Sequence, residues 1–218
     1  FERPPLIGGV PDYSKSAFKK REASFQSLKS RLESMPKESW TNSQQVDWHL
    51  IWAEMNGYFF NDKILKPWER DPAFYKSIWT YKSDVPAHEG PTHHAIIELW
   101  QYTFPLNKNS QKELASSLAI IPRLNKEARI NLTGNAKDLW IAGIRDIKNQ
   151  SKVLSELLSK PSVVNNKALV KAINNAKSST DEFVNWLKQE APKKNGPSGI
   201  GKENYTWYQQ NVHLVPLS

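Results

Sequence analysis

The chain has 218 residues, 39% of them hydrophobic, with a mean hydropathy of -0.64 and a formal net charge of +8. It has no cysteine, which excludes disulfides, thiol nucleophiles and cysteine zinc sites, and no run approaches the ~20 apolar residues of a membrane-spanning helix. The basic residues are mostly lysines spread along the chain beside Asp or Glu; only Lys19-Lys20-Arg21 and Lys193-Lys194 cluster, which argues against nucleic acid as a partner.

Residues 1–13, with Pro4, Pro5, Gly8, Gly9 and Pro11, read as an irregular lead-in. The chain starts at Phe1 without a methionine, which predicts a natural N-terminus further upstream. Ser14 or Ser16 can cap a helix running to about Ser34, with Phe18, Phe25, Leu28, Leu32 and Met35 as its buried stripe. Pro36 ends it, and Thr41-Asn42-Ser43 supplies caps for the next helix.

The stretch from Val46 to Tyr75 carries the densest pattern. Val46, Leu50, Ala53, Gly57, Phe60 and Ile64 form one stripe at helical spacing, and Trp48, Ile51, Met55, Phe59 and Leu65 add apolar cover on other faces. A helix apolar on several faces is expected to be surrounded by protein. Asp47, Glu54 and Asn61 lie seven apart on the remaining side. Pro67 is expected to stop this helix, and Leu65 to Pro72 to form a stiff corner, with the residues before both prolines pushed toward extended geometry.

A short helix is predicted from Ala73 to about Tyr81, and another from about Thr92 to Thr103, closed by Pro105. Asn109 or Ser110 can cap the next, in which Pro122 predicts a kink or restart and Gly134 fits a C-terminal cap. Two long helices follow, at about 136–159 (Trp140, Ile144, Ile147, Ser151, Leu154, Leu158) and 162–189 (Leu169, Ile173, Ala176, Thr180, Phe183, Leu187). Their short link makes them antiparallel neighbours. Residues 191–199 (APKKNGPSG) read as a linker before a short aromatic helix around Tyr205-Thr206-Trp207-Tyr208. The expected fold is all-α, a single region of about seven to eight helices without significant sheet.

Three groups of residues invite a chemical reading. His88, His93 and His94 sit close enough to suggest metal. Yet the helical zinc motif needs histidines four apart, the residue four after His88 is Thr92, and Gly90-Pro91 breaks any helix through the segment. Asp47 and Glu54 could face a cleft as an acid–base pair, but two helical turns place them ~10 Å apart along the axis. The competing expectation is that each pairs with a cation or an indole N–H. Trp68, Arg70 and Asp71 lie between two prolines; Arg70 could grip a carboxylate bidentately, or could lock the corner together with Glu69 and Asp71. There is no phosphate-binding loop, no nucleophile elbow and no catalytic residue identifiable by spacing.

Several stretches together resemble the family called domain of unknown function 885. They are Gln45-Val46-Asp47 with Ala53-Glu54-Met55-Asn56, the Leu65 to Tyr75 corner, Ile120-Ile121-Pro122 with Ala128 to Leu132, Phe183 to Leu187, and Gly199 to Tyr205. The resemblance covers about residues 40–218, and the Pro-Trp corner is its most specific part. The family is mainly bacterial, helical, often exported and similar to zincin-type metallopeptidases. Its zinc motif, His-Glu followed by Pro-Gly-His-His, belongs to a C-terminal half not present in this sequence.

The resemblance therefore implies a non-catalytic N-terminal helical part of a zinc peptidase, walling a substrate cleft. Zinc is implied for the parent protein only, with no cofactor in this chain, and the 218 residues alone are expected to be inactive. The implied partners are the missing C-terminal half and a peptide substrate, in a periplasmic or extracellular setting. Asp47, Glu54, Trp68, Arg70 and Asp71 would contact substrate or brace the wall. The alternative reading is a stand-alone basic module for an acidic partner.

Overall fold

A computed structural model describes residues 6, 7, 10–82 and 95–216. It is all-α: among the described residues, seven helices have ten or more residues, and the only strands are two pairs of two-residue strands. The chain divides into two compact units, one built mainly from Tyr13–Lys66 and Gly199–Ser218, the other from Pro67–Ser198 with Pro5–Asp12.

In the first unit, α1 (Lys15–Glu33) starts where Ser14 Oγ accepts the N–H of Ala17, as the sequence predicts. α2 (Asn42–Phe60) opens with a capping box in which the Thr41 side chain accepts the Gln44 N–H and the Gln44 side chain accepts the Thr41 N–H. Phe25, Leu32, Trp48 and Met55 form the core between these helices, and the Trp48 indole donates to the Leu32 carbonyl at 2.9 Å. α9 (Lys202–Asn211) lays Trp207 parallel to Phe60 at 5.8 Å between ring centres. It is tied down by the Asn56 amide, which donates to the Asn211 carbonyl at 3.0 Å. Gly57 lets this chain end approach closely, since a Cβ there would lie 3.3 Å from Val212.

The apolar cover of α2 is not fully used. Val46, Leu50 and Ile51 are 56%, 54% and 52% exposed, against the expectation of a surrounded helix. Burial goes instead to Trp48, Ala53, Met55, Asn56 and Phe60, the side that meets α1 and α9. The stripe read for α1 is likewise corrected at its end: Leu28 and Met35 are exposed, and Ala17 and Arg21 are buried in their place.

The end of α2 also differs from a proline stop. The helix widens into a π turn at Asn61–Leu65, and Lys66 then adopts a left-handed conformation (φ 42°, ψ 56°). Pro67 does exclude right-handed helix at the preceding residue. Lys66 resolves that conflict in the left-handed well rather than the extended one, whereas Asp71 before Pro72 is extended as expected (φ -121°, ψ 109°).

The second unit contains β1 (Leu6–Ile7) paired antiparallel with β2 (Val10–Pro11). Its helices are α3 (Pro67–Arg70), α4 (Lys108–Leu118), α5 (Ile121–Asn131), α6 (Lys137–Leu158), α7 (Pro161–Val164) and α8 (Lys167–Glu190). Pro122 causes a restart: α4 ends before it and α5 begins with it in its first turn. The cap of α4 is Asn107, two residues before the expected position. Leu114, Leu118, Ile121, Leu154, Leu169 and Ile173 are fully buried and form the centre of the core. α6 and α8 are antiparallel neighbours: Trp140 meets Trp186, and Gln150 meets Thr180 further along.

Among the described residues, neither the helix predicted from Ala73 nor the one predicted to Thr103 forms. Pro72–Tyr75 is a 3-10 turn, and Ile78–Trp79 (β3) pairs in parallel with Ile97–Glu98 (β4) before a second 3-10 turn at Leu99–Gln101. Tertiary partners override the local helical spacing here. The Gln150 Oε1 on α6 accepts the N–H groups of Ser77 and Ile78 at 2.7 and 3.1 Å, and Ser77 O accepts the Ile97 N–H at 2.7 Å.

Candidate functional site

The proline-bounded corner of the second unit holds Trp68, Arg70 and Asp71 together. α3 is one turn long, and Asp71 caps the following 3-10 turn by accepting the Ala73 N–H at 2.8 Å. The fully buried Tyr75 donates its hydroxyl to the Trp68 carbonyl at 2.9 Å and accepts from the Asn131 amide at 3.2 Å. The half-buried Trp68 is thereby fixed through its backbone.

Two glycines let the corner approach the helices beneath it. A Cβ on Gly143 of α6 would lie 2.7 Å from Pro72 Cβ and 2.9 Å from the Ala73 nitrogen. A Cβ on Gly134 would lie 2.8 Å from Arg70 Cγ, and its N–H donates to Glu69 O at 2.9 Å. The expected C-terminal cap at Gly134 does not form: α5 ends earlier, at Asn131, with Leu132 as its cap, and the role of Gly134 is close backbone approach.

Arg70 Nη2 donates to the carbonyls of Ser198 at 3.0 Å and Pro197 at 3.4 Å. Those carbonyls lie in the stretch read as a linker, and that stretch is firmly held. Asn135 Oδ1 accepts the N–H groups of Asn195 and Gly196, and its amide donates to Asn195 Oδ1. Gly196 O accepts the Lys137 N–H, and Ser198 Oγ accepts those of Asp138 and Leu139. The start of α6, which has no side-chain cap of its own, is therefore capped from 60 residues away. Lys194 stacks its ammonium 4.2 Å from the Trp140 ring centre, and burial pushes its pKa down.

The Asp71 carboxyl has a displaced titration. Burial, helped by the charge of Asp146, pushes its pKa from 3.8 to about 6, against the Ala73 N–H bond and the Arg70 charge. A half-buried carboxyl in that range is chemically suited to moving protons near neutrality. Here its Oδ1 is engaged with the backbone, and Arg70 is turned onto carbonyls.

Asp47 and Glu54 lie on α2 in the first unit, and both are solvent-exposed. His88, His93 and His94 fall outside the described residues. Among the described residues no group of three or more His, Cys, Asp or Glu could hold a metal ion, and no helix is long and apolar enough to cross a membrane. Sequence reasoning missed Asn135, Ser198 and Gln150. Asn135 and Ser198 sit in loops with no periodic pattern, and Gln150 sits within the polar run 148–152, where nothing in the spacing singles it out.

Fold and site define an all-α protein whose proline corner is pinned to the start of a long helix. No family model and no characterised protein sequence matches the chain. A solved structure described as "a putative lipoprotein of unknown function from Shewanella oneidensis" is similar to it, with a TM-score of 0.58 and 16% identity. The match covers 94% of this chain and 36% of that one, so this fold spans about a third of that longer protein. At that identity the likeness concerns the fold alone.

Proposed function

We propose that this chain is a non-catalytic helical wall of a larger zinc-dependent peptidase, with the metal motif supplied by sequence outside these 218 residues. The observation that carries the reading is the uncovered apolar face of α2, where Val46, Leu50 and Ile51 are each more than half exposed. Large apolar side chains exposed together on one helix, with the exposed carboxylates Asp47 and Glu54 among them, fit a surface that another protein segment covers. The covering segment in this reading is the catalytic half. That the fold forms about a third of a longer protein supports the same view. The lipoprotein description of that protein supports a periplasmic or extracellular setting. In this reading a peptide is the substrate of the whole enzyme. The corner of Trp68, Arg70 and Asp71 serves as a brace for the wall.

The test is co-expression of this chain and the remainder of its parent gene product as separate polypeptides. The two should co-purify and together show zinc-dependent peptidase activity, and Leu50→Asp with Ile51→Asp should abolish co-purification. Zinc-dependent cleavage by the 218-residue chain alone, or co-purification indifferent to the double substitution, would overturn the reading.

A further inference from the structure

A groove of about 500 Å³ runs between α4 and α8 in the second unit. Three lysines stand along it: Lys108 and Lys112 on α4, one turn apart, and Lys171 on α8. No Asp or Glu lines it among the described residues, so three ammonium groups share the groove without a counter-charge in its walls. Ala115, Ala119, Ala168 and Ala172 also line it, side chains too small to fill the space.

The two helices begin at the same end of the groove. The Asn166 side chain, which caps α8 by accepting the Leu169 N–H, donates its amide to Gln111 Oε1 in the first turns of α4 at 2.7 Å. Gln111 in turn donates to the Leu106 and Ser162 carbonyls, which fixes that end. Both positive helix ends therefore point the same way as the lysines are placed. The lining on α4 extends from Lys108 to Ala119, which at 1.5 Å per residue is a trough ~16 Å long. That is the length of about three helical turns, and it suits a chain rather than a compact anion.

We propose that this groove docks an acidic amphipathic helix of a partner protein. The alanines allow a helix axis to approach to the 8–10 Å typical of packed helices, and the lysines face carboxylates along its sides. The occupant runs antiparallel to α4 and α8, with its carboxylates in its last two turns, because only that orientation sets its negative end against the two positive ones. This inference stands on the groove alone and is independent of the peptidase reading.

The probe is a 14-residue alanine-based helical peptide with four glutamates in its last two turns, titrated into the full chain at low salt. Binding is read by amide NMR shifts and by fluorescence anisotropy. Saturable binding is expected, with shifts concentrated at Ala115, Ala119, Ala168 and Ala172. Lys108→Glu with Lys112→Glu and Lys171→Glu should weaken it at least tenfold. The charge-matched control Lys126→Glu with Lys148→Glu and Lys188→Glu, at exposed positions outside the groove, should change it less than twofold. Moving the glutamates to the first two turns should also weaken it. Absent binding, equal loss in the control variant, indifference to glutamate placement, or equal shifts with inorganic phosphate alone would each overturn the proposal.

Discussion

The hydroxyl of Ser198 accepts the backbone N–H of Asp138 at 2.7 Å, and it also accepts that of Leu139 at 3.3 Å. A helix leaves its first four N–H groups without intrahelical partners, and a nearby Ser, Thr, Asp or Asn normally supplies the missing oxygen. In α6 the residue at that position is Ala136, and the oxygen comes from the far side of the sequence. Ser198→Ala should therefore behave as the loss of a helix cap, costing about 1 kcal/mol. For a protein of this size that lowers Tm by about 2–4 °C. Ser198→Asp should recover most of the loss by restoring the acceptor and placing a negative charge at the helix start. Thermal unfolding of the three proteins decides it, and an unchanged Tm in the alanine variant would show that the cap contributes nothing.

Asp71 gives a pH dependence with a definite sign. Its pKa is about 6 in the folded chain against an ordinary 3.8, so folding favours its protonated form. The contribution is fully present below about pH 3.8 and is lost as pH rises through 6. Asp71→Asn keeps the oxygen that accepts the Ala73 N–H and removes the charge. The variant should be more stable than the parent at pH 7–8, by on the order of 2 kcal/mol, and should converge with it near pH 4. Urea titrations at pH 4 and pH 7.5 provide the check; a variant less stable at both would mean the carboxylate is stabilising there.

The long helices were legible because their period is strong. Leu169, Ile173, Ala176, Thr180, Phe183 and Leu187, read from spacing alone, are all buried on α8. Pro122 was legible for a similar reason, since a residue without an N–H has few places to sit. The corner was legible as a corner, but what holds it was not. The Ser198 carbonyl reaches it through Arg70, Asn135 holds the neighbouring Asn195-Gly196 stretch from a distant loop, and the requirement that Gly134 and Gly143 lack a Cβ arises only when Arg70 and Pro72 are laid against them. The segment 95–103 misled because Ile96, Ile97, Leu99 and Trp100 fit a helix locally, while the Ser77 carbonyl accepts the Ile97 N–H and Ile78–Trp79 pairs with Ile97–Glu98.

Gly143 should therefore be an exception to the usual gain from replacing a mid-helix glycine. Gly143→Ala improves helix propensity by up to ~1 kcal/mol. Its new methyl, however, would sit 2.7 Å from Pro72 Cβ and 2.9 Å from the Ala73 backbone nitrogen, neither of which is a flexible chain end. Displacing the corner should cost about 1–3 kcal/mol, leaving the variant less stable. A Gly143→Ala protein with raised Tm would show that the corner yields easily.

Gln150 joins α6 to the β3 segment through one oxygen. It is buried, and Gln150→Leu fills similar volume while stranding the N–H groups of Ser77 and Ile78. A buried unpaired donor costs about 1–3 kcal/mol. The loss should be local, seen as faster amide exchange at Ser77, Ile78 and Ile97 with little change in α8. Uniformly faster exchange throughout the second unit would instead mean that this link supports the whole core.

The uncovered face of α2 makes a final prediction by contrast with the core. Leu50 and Ile51 are more than half exposed, whereas Leu114 and Leu118 are fully buried. Replacing Leu50 or Ile51 with Asp removes little packing, so each should change stability by no more than ~0.5 kcal/mol. Leu114→Ala or Leu118→Ala should cost about 2–5 kcal/mol through lost burial and the cavity left behind. Denaturant unfolding of the four variants separates the cases. If the α2 substitutions cost as much as those at 114 and 118, that face is covered within this chain, and the docking surface assigned to it does not exist.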